Sequence, residues 1–298
     1  MRVNKRSTWG DVISEMTSPH VDLSKSIKFG QNAKMKYQVS QLFVYPIKSL
    51  KGIALKSAVL SSRGIEYDRR WMLVDQYNRF ITQREIPGLV LFDIQFGPDG
   101  LIVQHPAKSE ACLIPFKLKF TDFVTTKVWN DECIGGSASE PVNAYFSSAL
   151  NQQVNLIFHP ETGKRSVSNH GSSSIAFSDS NQYMILGENS LALLNSKLLE
   201  SLPMNRFRPN IVFSGGEPHD EDTWKEIRIG TTRFEVVKPC ARCQVTTIDQ
   251  ESGAVGVEPL KTFATYRKFD RKILFGQHLK LVSDLPATIH IGDSIVRE

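Results

Sequence analysis

Cysteine is scarce in this chain: four in 298 residues, Cys112, Cys133, Cys240 and Cys243. Four are too few to staple a protein of this length, and no secretory apolar stretch precedes residue 35. A disulfide-built secreted scaffold is therefore excluded, and a reduced, cytoplasmic setting is expected. No run approaches the roughly 18 consecutive apolar residues of a spanning helix, so no membrane span is expected. Charge of one sign is in short supply as well. Lys and Arg (36) exceed Asp and Glu (31) by only five. Residues 1–34 hold +3 of that excess, with six basic side chains against three acidic ones. The rest of the chain carries +2, too little for a broad nucleic-acid-binding face. Internal repeats and low-complexity tracts are missing too. What is present is 41% hydrophobic residues and 9% aromatics, enough to bury the core of one large or two medium domains.

Residues 1–36 are polar and aperiodic and read as a disordered or extension tail, with Met35 as an alternative start. From Tyr37 the chain falls into short strands broken by turns: Val39–Val44, Lys56–Leu60, Trp71–Val74, Phe80–Thr82, Leu89–Phe96, Leu101–Gln104, Phe116–Phe120 and Thr125–Trp129. Gly97-Pro98-Asp99-Gly100 marks a hairpin. Regularly spaced short strands argue a small β-barrel or sandwich. Two helices interrupt them. Pro141 opens one with Val142, Phe146, Ala149 and Leu150 at helical spacing. Asn189 caps a second, whose stripe runs through Leu191, Leu194, Leu198 and Leu202 until Pro203 stops it. Residues 160–174, rich in Ser, Gly and Asn, read as a linker between a domain at 37–159 and one at 175–298. The second domain is again mainly β, with strands at Ile211–Ser214, Ile227–Ile229, Arg233–Val237, Cys243–Ile248, Leu279–Val282 and Ile289–Ile291.

The densest chemical constellation is Lys238-Pro239-Cys240-Ala241-Arg242-Cys243. A structural zinc site needs a second pair of ligands, and Cys112, Cys133 and the seven His stand at no such spacing. A thioredoxin-like pair belongs at a helix N-terminus, whereas this one opens onto a β-branched run read as a strand. A single thiolate on a soft, redox-active metal is the third reading, with Arg242 favouring the Cys243 thiolate. Three further clusters place cations at loop–strand junctions: Tyr45-Pro46-Ile47-Lys48-Ser49, Tyr67-Asp68-Arg69-Arg70-Trp71 with Thr82-Gln83-Arg84, and Asn205-Arg206-Phe207-Arg208-Pro209-Asn210. Each alone is an ordinary surface ion-pair patch. Together they suit a phosphate-bearing ligand.

Seven motifs in order carry a resemblance: YPIKSLKG at 45–52, YDRRW at 67–71, ITQRE at 81–85, FSDSNQY at 177–183, FRPNIV at 207–212, KPCARCQVTTID at 238–249 and FGQHL at 275–279. From about Tyr37 to Glu298 the chain resembles the MOSC-domain molybdenum-cofactor proteins, and among them the amidoxime-reducing enzymes. The resemblance implies a mainly β fold with a few helices (α+β), an N-terminal MOSC β-barrel domain followed by a MOSC β-barrel domain. It implies a molybdenum–molybdopterin cofactor with Cys243 as the metal ligand and Cys240 as a structural neighbour. Pterin contacts fall on Lys48, Ser49, Arg69, Asp179, Ser180, Arg208, Asn210, Ala241 and Arg242. Asn181, Ala241 and His278 depart from the pattern of close relatives, and Asp179 and His278 are the candidate proton relays.

The implied activity is that of an oxidoreductase: two-electron reduction of the N–O bond of a small N-hydroxylated substrate. Cys112 and Cys133 lack a cluster pattern, so no iron–sulfur centre is expected in this chain. Electrons would come from a separate flavin reductase or a small heme or iron–sulfur carrier. Nor is a pyridoxal-phosphate domain expected, for want of room, and the membrane anchor of the animal enzymes is not seen. The alternative function is non-catalytic delivery of the molybdenum cofactor or of sulfur, as expected of a protein related to the cofactor sulfurases.

Overall fold

In the Tyr37–Val44 strand, Tyr37, Val39, Leu42 and Val44 turn inward while their neighbours stay more open, the period of two that lays one face on a core. A computed structural model describes residues 36–117, 122–161, 163, 165 and 175–298. All but the last residue of the expected tail lies outside the described residues. So do most of the expected linker at 160–174 and positions 118–120 of an expected strand.

Seven strands pair in a closed ring. The order is Tyr183–Gly187, Ile211–Ser214, Tyr37–Val44, Ser294–Arg297, Glu226–Ile229, Thr232–Ala241 and Lys272–Leu281, which pairs back onto Tyr183–Gly187. Closure leaves the barrel no open edge. Only Tyr183–Gly187 and Ile211–Ser214 run parallel, and their crossover carries helix α2 (Glu188–Asn195). The barrel core holds Leu42, Ile185, Phe213, Trp224, Phe234, Leu279 and Ile295. The Tyr37–Val44 strand thus completes a barrel whose other six strands come from beyond residue 182.

Residues between 71 and 158 form a four-stranded sheet (Trp71–Asp75, Val154–Phe158, Asp131–Ser137, Phe123–Val128) and a three-stranded meander (Asp93–Phe96, Gly100–Gln104, Cys112–Pro115). Helix α1 (Glu140–Leu150), opened by Pro141 as expected, buries Val142 and Phe146 in one apolar cluster with Trp71, Leu101 and Leu156. A third helix, α3 (Leu260–Tyr266), has no counterpart in the sequence reading. The fold is mainly β with a few helices, as expected; of the three α-helices among the described residues, none is long and apolar enough to cross a membrane.

Several expectations give way. Phe80–Thr82 is not a strand, since Phe80 makes only an isolated bridge to Val74. Asn189 does not cap the second helix but lies inside it, after Gly187 at the cap. Leu89–Phe96 is not one strand: Pro87 starts a 3-10 turn over Pro87–Leu91, and the strand begins at Asp93. The second helix stops at Asn195 rather than running to Leu202. The Asn195 amide grips the Leu202 backbone at both N (2.9 Å) and O (3.1 Å), turning the chain and leaving Leu199 in solvent. Cys243–Ile248 is no strand either. Gln244–Thr247 is a 3-10 turn, because the Thr246 and Thr247 hydroxyls donate to the carbonyls three residues back (Cys243, 3.0 Å; Gln244, 2.9 Å). β-Branching alone points to a strand; the hydroxyls decide otherwise.

Candidate functional site

Three site loops hold non-glycine residues in the left-handed region: Ser49 (φ 68), Arg69 (φ 49) and Arg208 (φ 53). Such backbone persists only where the surroundings enforce it. Here the enforcing element is Tyr45. It is buried, its hydroxyl donates to the Pro209 carbonyl (3.0 Å), and both the Arg69 and Arg208 guanidinium groups lie 4.3 Å from its ring centre. Gly52 of the YPIKSLKG motif is required against that ring, since a Cβ there would sit 2.4 Å from Tyr45 Cε1.

Each arginine is then aimed by polar partners. Arg69 Nη1 donates to Asp68 Oδ2 (2.5 Å) and Asn210 Oδ1 (3.3 Å). Asn210, 2% exposed, also receives the Met184 amide and donates to Asp68 and the Phe43 carbonyl. Its amide is fully engaged inside the fold, so Asn210 orients Arg69 while lining the site. Arg208 donates to the Leu50 carbonyl (2.7 Å), and burial pulls its guanidinium down to about 10, Tyr45 resisting and Arg69 adding to the shift. It stays charged at neutral pH in a place short of counter-charge.

Lys48, 5% exposed, donates to the Phe177 carbonyl (2.9 Å) and to Asp179 Oδ1 (2.5 Å). The same carboxylate oxygen receives the Trp129 indole N–H (3.0 Å). Desolvation works to raise the Asp179 carboxyl. The Lys48 charge, the hydrogen bonds from Lys48 and Trp129, and Arg69 outweigh it and hold the carboxyl far below the usual range.

The C-x-x-C segment leaves the barrel where the Thr232–Ala241 strand loses register against Lys272–Leu281, on both sides of Pro239. Such irregularities bend a strand and re-aim its side chains, and proline tolerates them because it offers no ladder N–H. The two thiols separate. Cys240 is buried, whereas Cys243 is exposed and its thiol has no hydrogen-bond partner among the described residues. Burial would push the Cys240 thiol up. Arg242 and His278, which also hydrogen-bonds it, prevail and bring it down to about 6. The charge of Arg242, given to Cys243 by the sequence reading, is thus felt by Cys240. Arg242 is fixed by the Phe275 and Phe207 carbonyls (2.8 and 2.9 Å). Gly276, at φ 80, leaves room for it: an added Cβ would stand 3.3 Å from Arg242 Nη2 and 2.9 Å from the Ile185 carbonyl. The His278 Nδ1 is buried without a partner.

These elements enclose one cavity of about 620 Å³. All the residues singled out from sequence line it: Lys48, Ser49, Arg69, Asp179, Ser180, Arg208, Asn210, Ala241, Arg242, Cys243 and His278. Ser180 spends its hydroxyl on Asn181 Oδ1 (2.7 Å), and Ser49 offers its carbonyl to Gln83 (2.7 Å). Sequence reasoning missed Trp129 and Lys272 as lining residues, and had Arg84, Arg206 and Lys238 only as motif members. Eight Lys or Arg side chains (48, 69, 84, 206, 208, 238, 242, 272) face the cavity against one carboxylate, Asp179. Among the described residues no three or more His, Cys, Asp or Glu gather into a metal-holding group, as the zinc reading would require. One exposed soft sulfur, that of Cys243, and a cationic cradle fit a soft metal carried on an anionic organic group.

Residues 36–153 match the family model of the MOSC N-terminal beta barrel domain, and residues 172–296 that of the MOSC domain. The chain is 34% identical over 278 residues to mitochondrial amidoxime-reducing component 1 of Homo sapiens, covering 86% of this chain and 82% of that protein. It is 31% identical over 271 residues to the molybdenum cofactor sulfurase of Oryza sativa subsp. japonica, covering 83% of this chain but only 33% of that protein. Among solved structures, the YUAD protein from Bacillus subtilis is similar over 88% of this chain and 94% of its own, at 11% identity and a TM-score of 0.34.

Proposed function

Because the chain belongs to the MOSC-domain family and is a relative of the amidoxime-reducing components, we propose that it is a molybdenum-cofactor-dependent reductase of N-hydroxylated compounds. Two electrons from a separate donor protein and two protons convert N–OH to N–H and water. The observation that carries this reading is the lone exposed thiol of Cys243 on a cavity with eight cations and one carboxylate.

In this reading Cys243 holds the metal, and Lys48, Arg69, Arg208 and Arg242 clamp the phosphate-bearing pterin. Ser49, Ser180, Asn210 and Ala241 shape the cradle. When bound, the cofactor supplies an oxygen-accepting, two-electron redox centre. The chain's own share is placement and proton supply. Asp179, held ionised by Lys48, accepts hydrogen bonds and keeps Lys48 charged, so it does not deliver a proton at neutral pH. His278, with Nδ1 free of protein partners, is the remaining proton relay of the two considered. The human relative is named mitochondrial; the cytoplasmic setting expected from cysteine usage belongs to this proposal.

Purified protein from a host that makes the cofactor should contain molybdenum and pterin and should reduce benzamidoxime with an artificial electron donor. Cys243→Ser should lose the metal and the activity, while Cys240→Ser keeps much of both. Equal loss in the two variants would return the site to a paired-thiol chemistry.

A second reading has one observation in its favour. Cys240 lines the same cavity, Arg242 and His278 bring its thiol down to about 6, which favours a thiolate that could carry sulfur, and the rice relative is named a molybdenum cofactor sulfurase. Metal-loaded protein that never turns over benzamidoxime, yet passes sulfur or pterin to an apo-enzyme, would establish delivery instead.

A further inference from the structure

Of the aromatic side chains that line the cavity outside the anion clamp, Tyr183 and Phe207 are buried and Trp129 is exposed. Trp129 sits at the apex of the hairpin joining Phe123–Val128 to Asp131–Ser137, at φ 59, where a bulky side chain is an outlier. It is 48% exposed and still fastened at three points. Its indole N–H donates to Asp179 Oδ1 (3.0 Å), the Arg84 guanidinium lies 4.6 Å from its ring centre, and Phe80 meets it edge-on at 5.6 Å. The chain on either side is held too: Arg165 donates to the Val128 carbonyl (3.3 Å) and to Asp131 Oδ2 (3.0 Å). An exposed aromatic ring with so little freedom loses little more when a ligand covers it, which is the property of a stacking platform. Trp129 and Arg84 line the cavity that Cys243 lines.

We propose that Trp129, backed by Arg84, is the substrate platform of this site and selects neutral, planar, conjugated N-hydroxylated compounds over aliphatic ones. The inference rests on the reductase reading above. A flat π-face stacks on the indole, whereas a compact aliphatic group makes no comparable contact. Arg84 keeps that wall cationic, so a neutral face is accepted and a positively charged one repelled.

The test compares loaded wild-type protein with Trp129→Leu and Trp129→Phe on benzamidoxime and acetamidoxime. Trp129→Leu should lower kcat/KM for benzamidoxime about tenfold, mainly through KM, and change acetamidoxime by less than about twofold. Trp129→Phe keeps a ring but loses the indole N–H, and should retain most of the preference. An equal fall on both substrates, or Trp129→Phe as poor as Trp129→Leu, would mean that Trp129 acts through Asp179 and overturn the inference. A second readout does not depend on turnover. The chain has four tryptophans, of which Trp71 and Trp224 are buried. Benzamidoxime should quench the emission of the loaded wild type and not of Trp129→Phe, and acetamidoxime should quench neither; absence of wild-type quenching overturns the platform. A wild type that reduces neither substrate removes the reductase reading, while the quenching titration still decides whether Trp129 meets a planar ligand.

Discussion

Lys48 and Asp179 meet at 2.5 Å, an ammonium almost sealed from solvent against a carboxylate open to the cavity. Burial drags the Lys48 ammonium below its ordinary range, and the Asp179 charge and hydrogen bond push it back up. The pair therefore sets the pH range over which the cavity keeps this positive charge. Asp179→Asn removes the raising influence and leaves the lowering one. Lys48 should then lose its proton at a lower pH, and a bound anion should be released at a lower pH than from wild type when the solution is made alkaline. Pterin content measured across an ascending pH series checks this. Identical release curves would mean that Lys48 does not face the anion.

Cys240 gives a second pH prediction. Because Arg242 and His278 overcome its burial, its alkylation by iodoacetamide should titrate with a midpoint near the value of about 6. His278→Asn removes one lowering influence, so the midpoint should move up. Trypsin cuts after Arg242, so Cys240 and Cys243 report on separate peptides in mass spectrometry. An unshifted midpoint in the variant would show that His278 does not stabilise this thiolate.

Tyr45 and Arg208 separate stability from binding. Tyr45→Phe keeps the ring on which both arginines rest and deletes the hydroxyl donated to Pro209, so it should lower unfolding free energy by about 1 kcal/mol and leave pterin retention intact. Arg208→Ala should do the opposite: little change in the urea midpoint, and pterin retention weakened by about 1–3 kcal/mol. Urea titration and pterin content after dialysis read the two effects apart.

Local pattern carried much of this into view, and long-range pairing much of the remainder. Alternating burial in Tyr37–Val44 and the Pro141 helix start are visible in a few residues. Closure of the barrel is not, because it depends on Leu42 meeting Ile211 and Gln38 meeting Ser294. Val245-Thr246-Thr247 misleads because strand propensity counts β-branching and not hydroxyls that bond back along the chain. The cations of the site were legible as motif members. Trp129 was not: a single tryptophan at a hairpin apex has no period, and only the Asn130-Asp131 turn pair behind it marks the place. The contrast between Cys240 and Cys243 is likewise a matter of burial, which spacing does not encode.

Arg165 shows the same limit most sharply, and yields the strongest stability prediction. It falls in the stretch expected as linker, yet it is 2% exposed. Its Nη1 donates to the Ala176 and Ser178 carbonyls (3.0 and 2.8 Å), its Nη2 to the Val128 carbonyl (3.3 Å), and Nε with Nη2 to Asp131 Oδ2. One planar cation thus ties the strand end before Trp129 to the loop that presents Asp179. Arg165→Met strips those acceptors of their donor in a buried place and should cost about 3–5 kcal/mol of unfolding free energy. Arg165→Lys restores charge but not the fork, so it should recover only part of the loss. A urea midpoint in Arg165→Lys equal to wild type would mean that charge alone holds the two segments. A midpoint close to that of Arg165→Met would mean that the geometry of the fork does.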